Sequence, residues 1–230
     1  MSAFDDVFVG IPWRDTGDPY RKRNVDYVSQ YLADITGRVV KGLDGETPTQ
    51  AFSLPAARNA VVNEARRWGT PKVIICDADT IPSKESLEEA VRQVDDDGII
   101  LPFDLYRALS DRDSQRLIAG ADPDTLPDIG TLDWSVGGVC VTTISGWDAL
   151  GGQDERFTGW GCEDIAFSLV ATALGRPLRR VNGTIHHLWH PRAVNPSDAS
   201  YKANERLLQE YADASDIAEI VRQHNPNWNG

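Results

Sequence analysis

Apolar residues recur with two different periods along the first hundred positions. Val7-Phe8-Val9-Gly10-Ile11 is a short apolar run that predicts a strand. Val25, Val28, Leu32 and Ile35 then recur at helical spacing until Gly37 stops the element, and Arg38-Val39-Val40 resumes as a short strand. A Gly/Pro/Thr loop spans residues 42–52. Beyond it, Ser53 caps a helix that takes Pro55 in its first turn and carries Leu54, Ala57, Val61, Ala65 and Trp68 as its apolar stripe. Val73-Ile74-Ile75-Cys76 predicts a buried strand ending at Asp77. Ser83 caps a further helix, and Gly98-Ile99-Ile100-Leu101-Pro102 reads as another buried strand. Strands alternating with amphipathic helices imply parallel strands joined by helical crossovers.

The pattern breaks at residues 103–133, which are rich in Asp, Arg, Pro and Gly and have little periodicity. A connection of that length in a compact domain reads as a mobile lid. Gly138-Val139-Cys140-Val141-Thr142-Thr143 resumes as a strand, residues 162–174 read as a helix up to Gly175, and Thr184-Ile185-His186-His187-Leu188 forms the final strand. A helix near residues 200–222 closes the chain. The expectation is one α/β domain over residues 1–230.

Composition agrees with a single enzyme-sized domain. With 230 residues and 41% hydrophobic content, the chain can bury one sizeable core. Its net charge of -12, from 35 acidic against 23 basic residues, argues against broad binding to nucleic acid or an anionic membrane. The start, MSAFDDVFVG, has acids where a signal peptide needs basic then apolar residues, and no run approaches the length of a membrane span. A soluble, cytoplasmic protein is expected. Cys76, Cys140 and Cys162 are odd in number and widely separated, which argues for free thiols and a reducing compartment.

Candidate chemistry gathers at strand ends. Asp77-Ala78-Asp79 places two carboxylates one residue apart after a buried strand, where an open α/β sheet binds its ligand. On an extended segment both side chains point the same way and can meet one Mn²⁺ or Mg²⁺ ion. His186, His187 and His190 are three of only four histidines, and imidazole beside carboxylate favours Mn²⁺. His187 and His190 are the expected pair, because Pro191 should turn the chain and bring opposite strand faces together. In Gly159-Trp160-Gly161-Cys162-Glu163-Asp164, an aromatic face and two glycines allow close approach to a sugar, and two acids open a helix. Arg14 and Arg58 lie at the same sheet edge and can pair with phosphate. Asp95-Asp96-Asp97 reads as a solvated turn.

These motifs together resemble the GT-A fold glycosyltransferases, the nucleotide-sugar-dependent class with an Asp-x-Asp metal motif. Ile11-Pro12-Trp13-Arg14, Ala57-Arg58-Asn59 and Ile75-Cys76-Asp77-Ala78-Asp79 resemble, in order, the donor-site motifs of family-2-like enzymes. Gly137-Gly138-Val139 followed by Gly159-Trp160-Gly161-Cys162-Glu163-Asp164 is similar to the Gly-Trp-Gly-Gly-Glu-Asp region of inverting galactosyltransferases and chondroitin-type polymerases.

The resemblance implies a Rossmann-like, mostly parallel sheet flanked by helices. Residues 1–102 would form the nucleotide-sugar and metal half, 103–133 a mobile loop, 134–200 the acceptor half, and 201–230 a C-terminal helix and tail. Asp79, His187 and His190 would hold Mn²⁺ or Mg²⁺, and Asp77 would contact the metal shell or the ribose. Pro12, Arg14, Asp44, Arg58, Gly138 and Trp160 join Asp77 in the donor-binding set. Asp164 would be the general base and Glu163 would position the acceptor.

The implied activity is metal-dependent, inverting transfer of a sugar from a nucleotide sugar, UDP-linked by preference, to an acceptor hydroxyl. The acceptor is a glycan, a protein, a small molecule or, disfavoured by the acidic charge, modified DNA. A nucleotidyltransferase and a non-catalytic sugar-nucleotide or glycan-binding module are the alternatives. The former usually carries a Gly-rich, basic phosphate loop, unlike Pro12-Trp13-Arg14-Asp15-Thr16-Gly17. Ile165 stands where the galactosyltransferases have a third acid, and Cys162 where they have glycine. With no membrane anchor, these departures point to a bacterial or viral relative.

Overall fold

The apolar run at the start forms β1, Val7–Pro12, buried at every residue after the first. Asp18 caps α1, Pro19–Thr36, by accepting the Tyr20 and Arg21 amides, and Gly37 ends it in the left-handed conformation. β2 is Val40–Leu43, later than its apolar residues predict, because pairing with β1 begins at Gly10 opposite Val40. Ser53 caps α2, Leu54–Trp68, and β3 is Lys72–Cys76, followed closely by β4, Thr80–Pro82. Ser83 caps α3, Lys84–Gln93, and β5 is Ile99–Leu101. This computed structural model describes residues 2–45, 51–96, 98–192 and 197–230. Residues 46–50 of the Gly/Pro/Thr loop and Asp97 of the acidic run lie outside the described residues.

Residues 103–133 correct the expectation of an aperiodic connection. They form β6, Leu105–Leu109, α4, Asp111–Ile118, and β7, Asp128–Leu132. No alternation announces β7 because all five of its residues are exposed, so neither face needs apolar side chains. β8, Val139–Thr143, leads into α5, Ile144–Ala149; α6, Glu163–Ala173, precedes β9, Arg179–Arg180, and β10, Thr184–His187. The single C-terminal helix expected from the sequence is two helices, α7, Ala199–Asp213, and α8, Ile217–His224. Asp216 divides them by accepting the Ala218 amide as the cap of α8.

The larger sheet runs β2-β1-β3-β8-β5-β9. β8 is antiparallel to both of its neighbours, and the remaining described pairs in that sheet are parallel. A smaller sheet runs β4-β10-β6-β7, with β10 antiparallel to β4. The main core lies on both faces of the larger sheet, which is why β3 reads as uninterrupted apolar sequence. A second cluster joins Ala166 and Val170 of α6 to Leu207 and Tyr211 of α7 and Val221 of α8. α6 is therefore held from two sides, by the sheet through Phe167 and Ala171 and by the C-terminal helices.

β1 and α2 pack so closely that a Cβ at Gly10 would lie 2.3 Å from Val61 Cγ1. Gly10→Ala forces that contact apart. It should cost about 1–3 kcal/mol, read as a lower urea midpoint with an unchanged slope.

Candidate active site

The short turn after β3 sends the two acids of Asp77-Ala78-Asp79 in different directions. Thr80 N donates to the Asp77 carbonyl at 3.3 Å, and the Asp77 amide donates to the Gly138 carbonyl at 2.8 Å, tying the turn to the head of β8. The segment is therefore not extended, and the two carboxylates do not meet at one point as predicted.

Asp79 faces the late histidines. β4 and β10 pair with Thr80 opposite His187, and Leu188 N donates to the Asp79 carbonyl at 2.8 Å, so sheet register alone sets Asp79 beside the His187–His190 turn. His190 Nε2 lies 3.1 Å from Asp79 Oδ2 and His187 Nε2 lies 3.7 Å from Asp79 Oδ1. One ligand atom from each of these residues falls within 4.8 Å of the other two. Burial alone would raise the Asp79 carboxyl, but His187 and the hydrogen bond from His190 hold it well below the usual range. Desolvation lowers His187, and for His190 the Asp79 bond and charge reverse that effect and raise it. One carboxylate oxygen and two imidazole nitrogens are a donor set suited to Mn²⁺. Asp77 is outside this group, and His186 is buried next to Arg107 instead, with Nε2 3.4 Å from Nη1.

Asp77 belongs to a second group, built on Arg58. This guanidinium is 4% exposed and donates from Nη2 to both Asp77 oxygens at 3.0 Å. Nη1 reaches Asp164 Oδ1 in a short ion pair and Gln153 Oε1 at 3.4 Å. Burial would weaken the arginine's hold on its proton, but Asp164, Asp77 and Glu163 more than compensate and keep it charged. Arg58 therefore joins the end of β3 to the start of α6 and has no open face for phosphate. A Cβ at Gly137 would lie 2.1 Å from Asp164 Oδ2, so only glycine lets this carboxylate rest on the backbone. A cavity of ≈ 20 Å³, room for one water, lies beneath Arg58, Asp77 and Asp164 against Cys140 and Phe167. Glu163 is 8% exposed; desolvation, then the charge of Asp164, raises its carboxyl.

The other predicted residues flank these two groups. Arg14 Nε bonds Asp44 Oδ2 at 3.0 Å, and the guanidinium lies over the Phe52 ring at 5.4 Å. Pro12 is the buried end of β1. Gly138, at φ 106, supplies the carbonyl that holds Asp77. Trp160 is 48% exposed and stacks on Tyr201 at 5.5 Å. Asp95 pairs with Arg179 and Asp96 accepts from Ser145, consistent with the solvated-turn reading for those two acids.

Three contributors escape the sequence patterns. Asn204 of α7 is buried and donates to the carbonyls of Thr158 at 3.0 Å and Gly161 at 3.1 Å, fixing the Trp160 loop. Ser53 donates to the Phe157 carbonyl at 2.9 Å while capping α2, and Gly159 N donates to the Phe52 carbonyl at 2.8 Å. Tyr106 packs its ring on His187 at 5.6 Å, and burial with the charges of Asp79 and Asp77 keeps its phenol protonated. Its position on β6, inside a segment without alternation, hides it from pattern reading.

No protein-family model matches this sequence, and no curated protein matches it. Solved structures do. A Drosophila β1,4-galactosyltransferase 7 variant complexed with manganese, UDP-Gal and xylobiose superposes with a TM-score of 0.51 at 14% identity, covering 86% of this chain and 78% of that one. The catalytic domain of the Drosophila enzyme with xylobiose gives 0.50 at 15% identity, covering 86% and 79%. GalNAc-T7 with UDP, GalNAc and Mn²⁺ gives 0.55 at 16% identity, covering 95% of this chain but only 48% of that one, so this chain spans about half of its length. The fold is therefore GT-A, as the sequence motifs imply.

Two outcomes test the site's energetics. Cys162, at φ 77, is the one non-glycine among the described residues in the left-handed region, and Cys162→Gly should add about 1 kcal/mol of stability. Because Glu163 is raised above its unfolded value, it keeps a proton on folding, and native stability falls as pH rises from about 4.5 towards 7. Without added metal, Glu163→Gln should stabilise the protein by on the order of 1–3 kcal/mol at pH 8 and far less at pH 5. Urea unfolding at both pH values measures this.

Proposed function

We propose that this chain is a metal-dependent glycosyltransferase that moves a sugar from a nucleotide sugar, UDP-linked by preference, to an acceptor hydroxyl with inversion. The observation that carries this reading is the adjacency of two differently built groups at the β3–β4 connection, where the two sheets meet. Asp79, His187 and His190 form a divalent-cation donor set, and Arg58 ties its sequence neighbour Asp77 to Asp164 at the start of α6. The GT-A fold and the ligands in the named complexes, manganese or Mn²⁺ with UDP-Gal or UDP, support it.

Asp79, His187 and His190 would hold Mn²⁺ or Mg²⁺, which supplies charge neutralisation to a departing diphosphate. The protein's own part is positional and acid–base. Asp164 sits at the opening of the cleft with its side chain 23% exposed, one oxygen fixed by Arg58 and the other against the Gly137 backbone. From there it accepts the proton of the incoming hydroxyl as the new glycosidic bond forms on the face opposite the leaving group. Glu163, retaining its proton more readily, hydrogen-bonds the acceptor. Trp160, braced by Tyr201 and held by Asn204, offers an exposed aromatic face to a sugar ring. Arg14 with Asp44, beside Phe52, lines the nucleotide side.

Removing each half should give a different defect. Asp79→Ala should abolish metal-dependent stabilisation by nucleotide sugars in a thermal-shift panel of UDP-, GDP- and dTDP-sugars with Mn²⁺. Asp164→Asn should keep donor affinity while lowering kcat by about 10²–10⁴. Full turnover by Asp164→Asn rules out its role as base, and a wild-type panel without metal-dependent stabilisation overturns the whole reading.

A further inference from the structure

Both arginines that the sequence puts forward for a donor diphosphate are committed to carboxylates, Arg58 to Asp77 and Asp164, and Arg14 to Asp44. A third arginine, Arg21, lies on the helix that is packed against the triad's turn. The first turns of α1 are clamped onto Leu188 and Trp189, the two residues between His187 and His190. The Tyr20 ring meets Trp189 edge-on at 5.0 Å, Arg23 donates to the Trp189 carbonyl at 3.2 Å, and Asn24 donates to the same carbonyl at 3.1 Å. Arg21 lies between Tyr20 and Arg23 in that clamped segment and is partly buried. Among the described residues its guanidinium has no ion pair or hydrogen-bond partner, whereas its neighbours Lys22 and Arg23 pair with Asp26 and Asp111.

We infer that Arg21 is a diphosphate-binding residue of the donor site, its guanidinium taking oxygens of a nucleoside diphosphate held at Asp79, His187 and His190. This rests on the glycosyltransferase reading. Charge balance favours Arg21 over Arg58. One carboxylate, two neutral imidazoles and a divalent ion sum to a single positive charge, and Arg21 brings this to two, near the charge of a diphosphate. Arg58 with Asp77 and Asp164 sums to a negative charge and would repel the same ligand. A guanidinium also matches two phosphate oxygens at once. With no diphosphate present, the same charge opposes a cation at the triad, so its two effects have opposite signs.

Calorimetric titration tests this with wild type, Arg21→Ala and Arg21→Lys. Each is titrated with Mn²⁺ alone, and then with UDP, GDP, CDP and dTDP in excess Mn²⁺. Arg21→Ala should weaken the diphosphate that binds wild type by about tenfold or more, while Mn²⁺ alone binds at least as tightly as before. Arg21→Lys should fall between the two. Equal diphosphate affinity in wild type and Arg21→Ala overturns the role of Arg21 alone. A parallel loss of Mn²⁺ and diphosphate affinity also overturns it, because a purely structural role predicts that. If no diphosphate binds wild type, the donor reading and the role of Arg21 fall together.

Discussion

Arg58 lies in the interior of the protein with a full positive charge, and the end of β3 and the start of α6 are organised around that charge. Its guanidinium bonds Asp77 at the end of β3 and Asp164 at the start of α6. Taking such a group out of water costs several kcal/mol unless it is paired and hydrogen-bonded, and here two carboxylates and Gln153 accept from its two terminal nitrogens. The consequence is mutual. Asp77 and Asp164 can stay close together in a poorly hydrated place only because Arg58 lies between them, and Arg58 can stay charged there only because of them. Breaking such a pair from one side leaves an uncompensated buried charge, typically about 3–5 kcal/mol. The geometry of the candidate site and local stability are therefore coupled at this point.

The metal-ligand triad depends on a different kind of constraint. No helix or loop has to be folded specially to bring Asp79 to His187, because the antiparallel register of β4 and β10 already does so. His190 then needs only the turn after Leu188, which is held from outside by Asn24 and Arg23 of α1. Hydrogen-bond register is a strong determinant where a one-residue slip would turn the buried Ile185 outward. The triad is thus specified by the same interactions that close the core. The 157–161 loop is specified by longer reach, through Asn204 on α7 and Ser53, the cap of α2, whose side chains bond its carbonyls.

This division explains what could be read from the sequence. β1, β3, β5 and β8 carry dense apolar runs because they are buried on both faces, and their positions follow from that alone. Asp79, His187 and His190 are legible because acids and clustered histidines at strand ends are unusual enough to stand out. β6 and β7 are not legible, since β7 is exposed at all five residues and four of the five in β6 are only partly buried, so neither strand has a buried face to alternate against. Arg58 shows why residue type is not role. In sequence, an arginine near a helix start at the ligand edge is indistinguishable from a phosphate ligand, and its burial depends on Gln153 and Asp164, about a hundred positions away. Asn204 gives no signal because a polar residue within an amphipathic helix normally faces water. Here it faces the backbone of another loop.

The charge of the cleft follows from these two constructions taken together. Asp77, Asp79, Glu163 and Asp164 bring four carboxyls to the region, and Arg58 offsets only part of that charge. The excess acid raises Asp77 and Glu163, in each case through burial first and neighbouring carboxylates next. A divalent ion held, as proposed, by Asp79, His187 and His190 would supply positive charge, and the guanidinium of Arg21 would add to it on the same side. In the proposed reading a diphosphate would be drawn to the α1 and β10 side and repelled from the Asp164 side. The two tasks proposed for this region, holding a polyanion and removing a proton, would meet where the β3–β4 connection passes from one sheet to the other, with Arg58 offsetting Asp164 enough to fix it there without inviting phosphate.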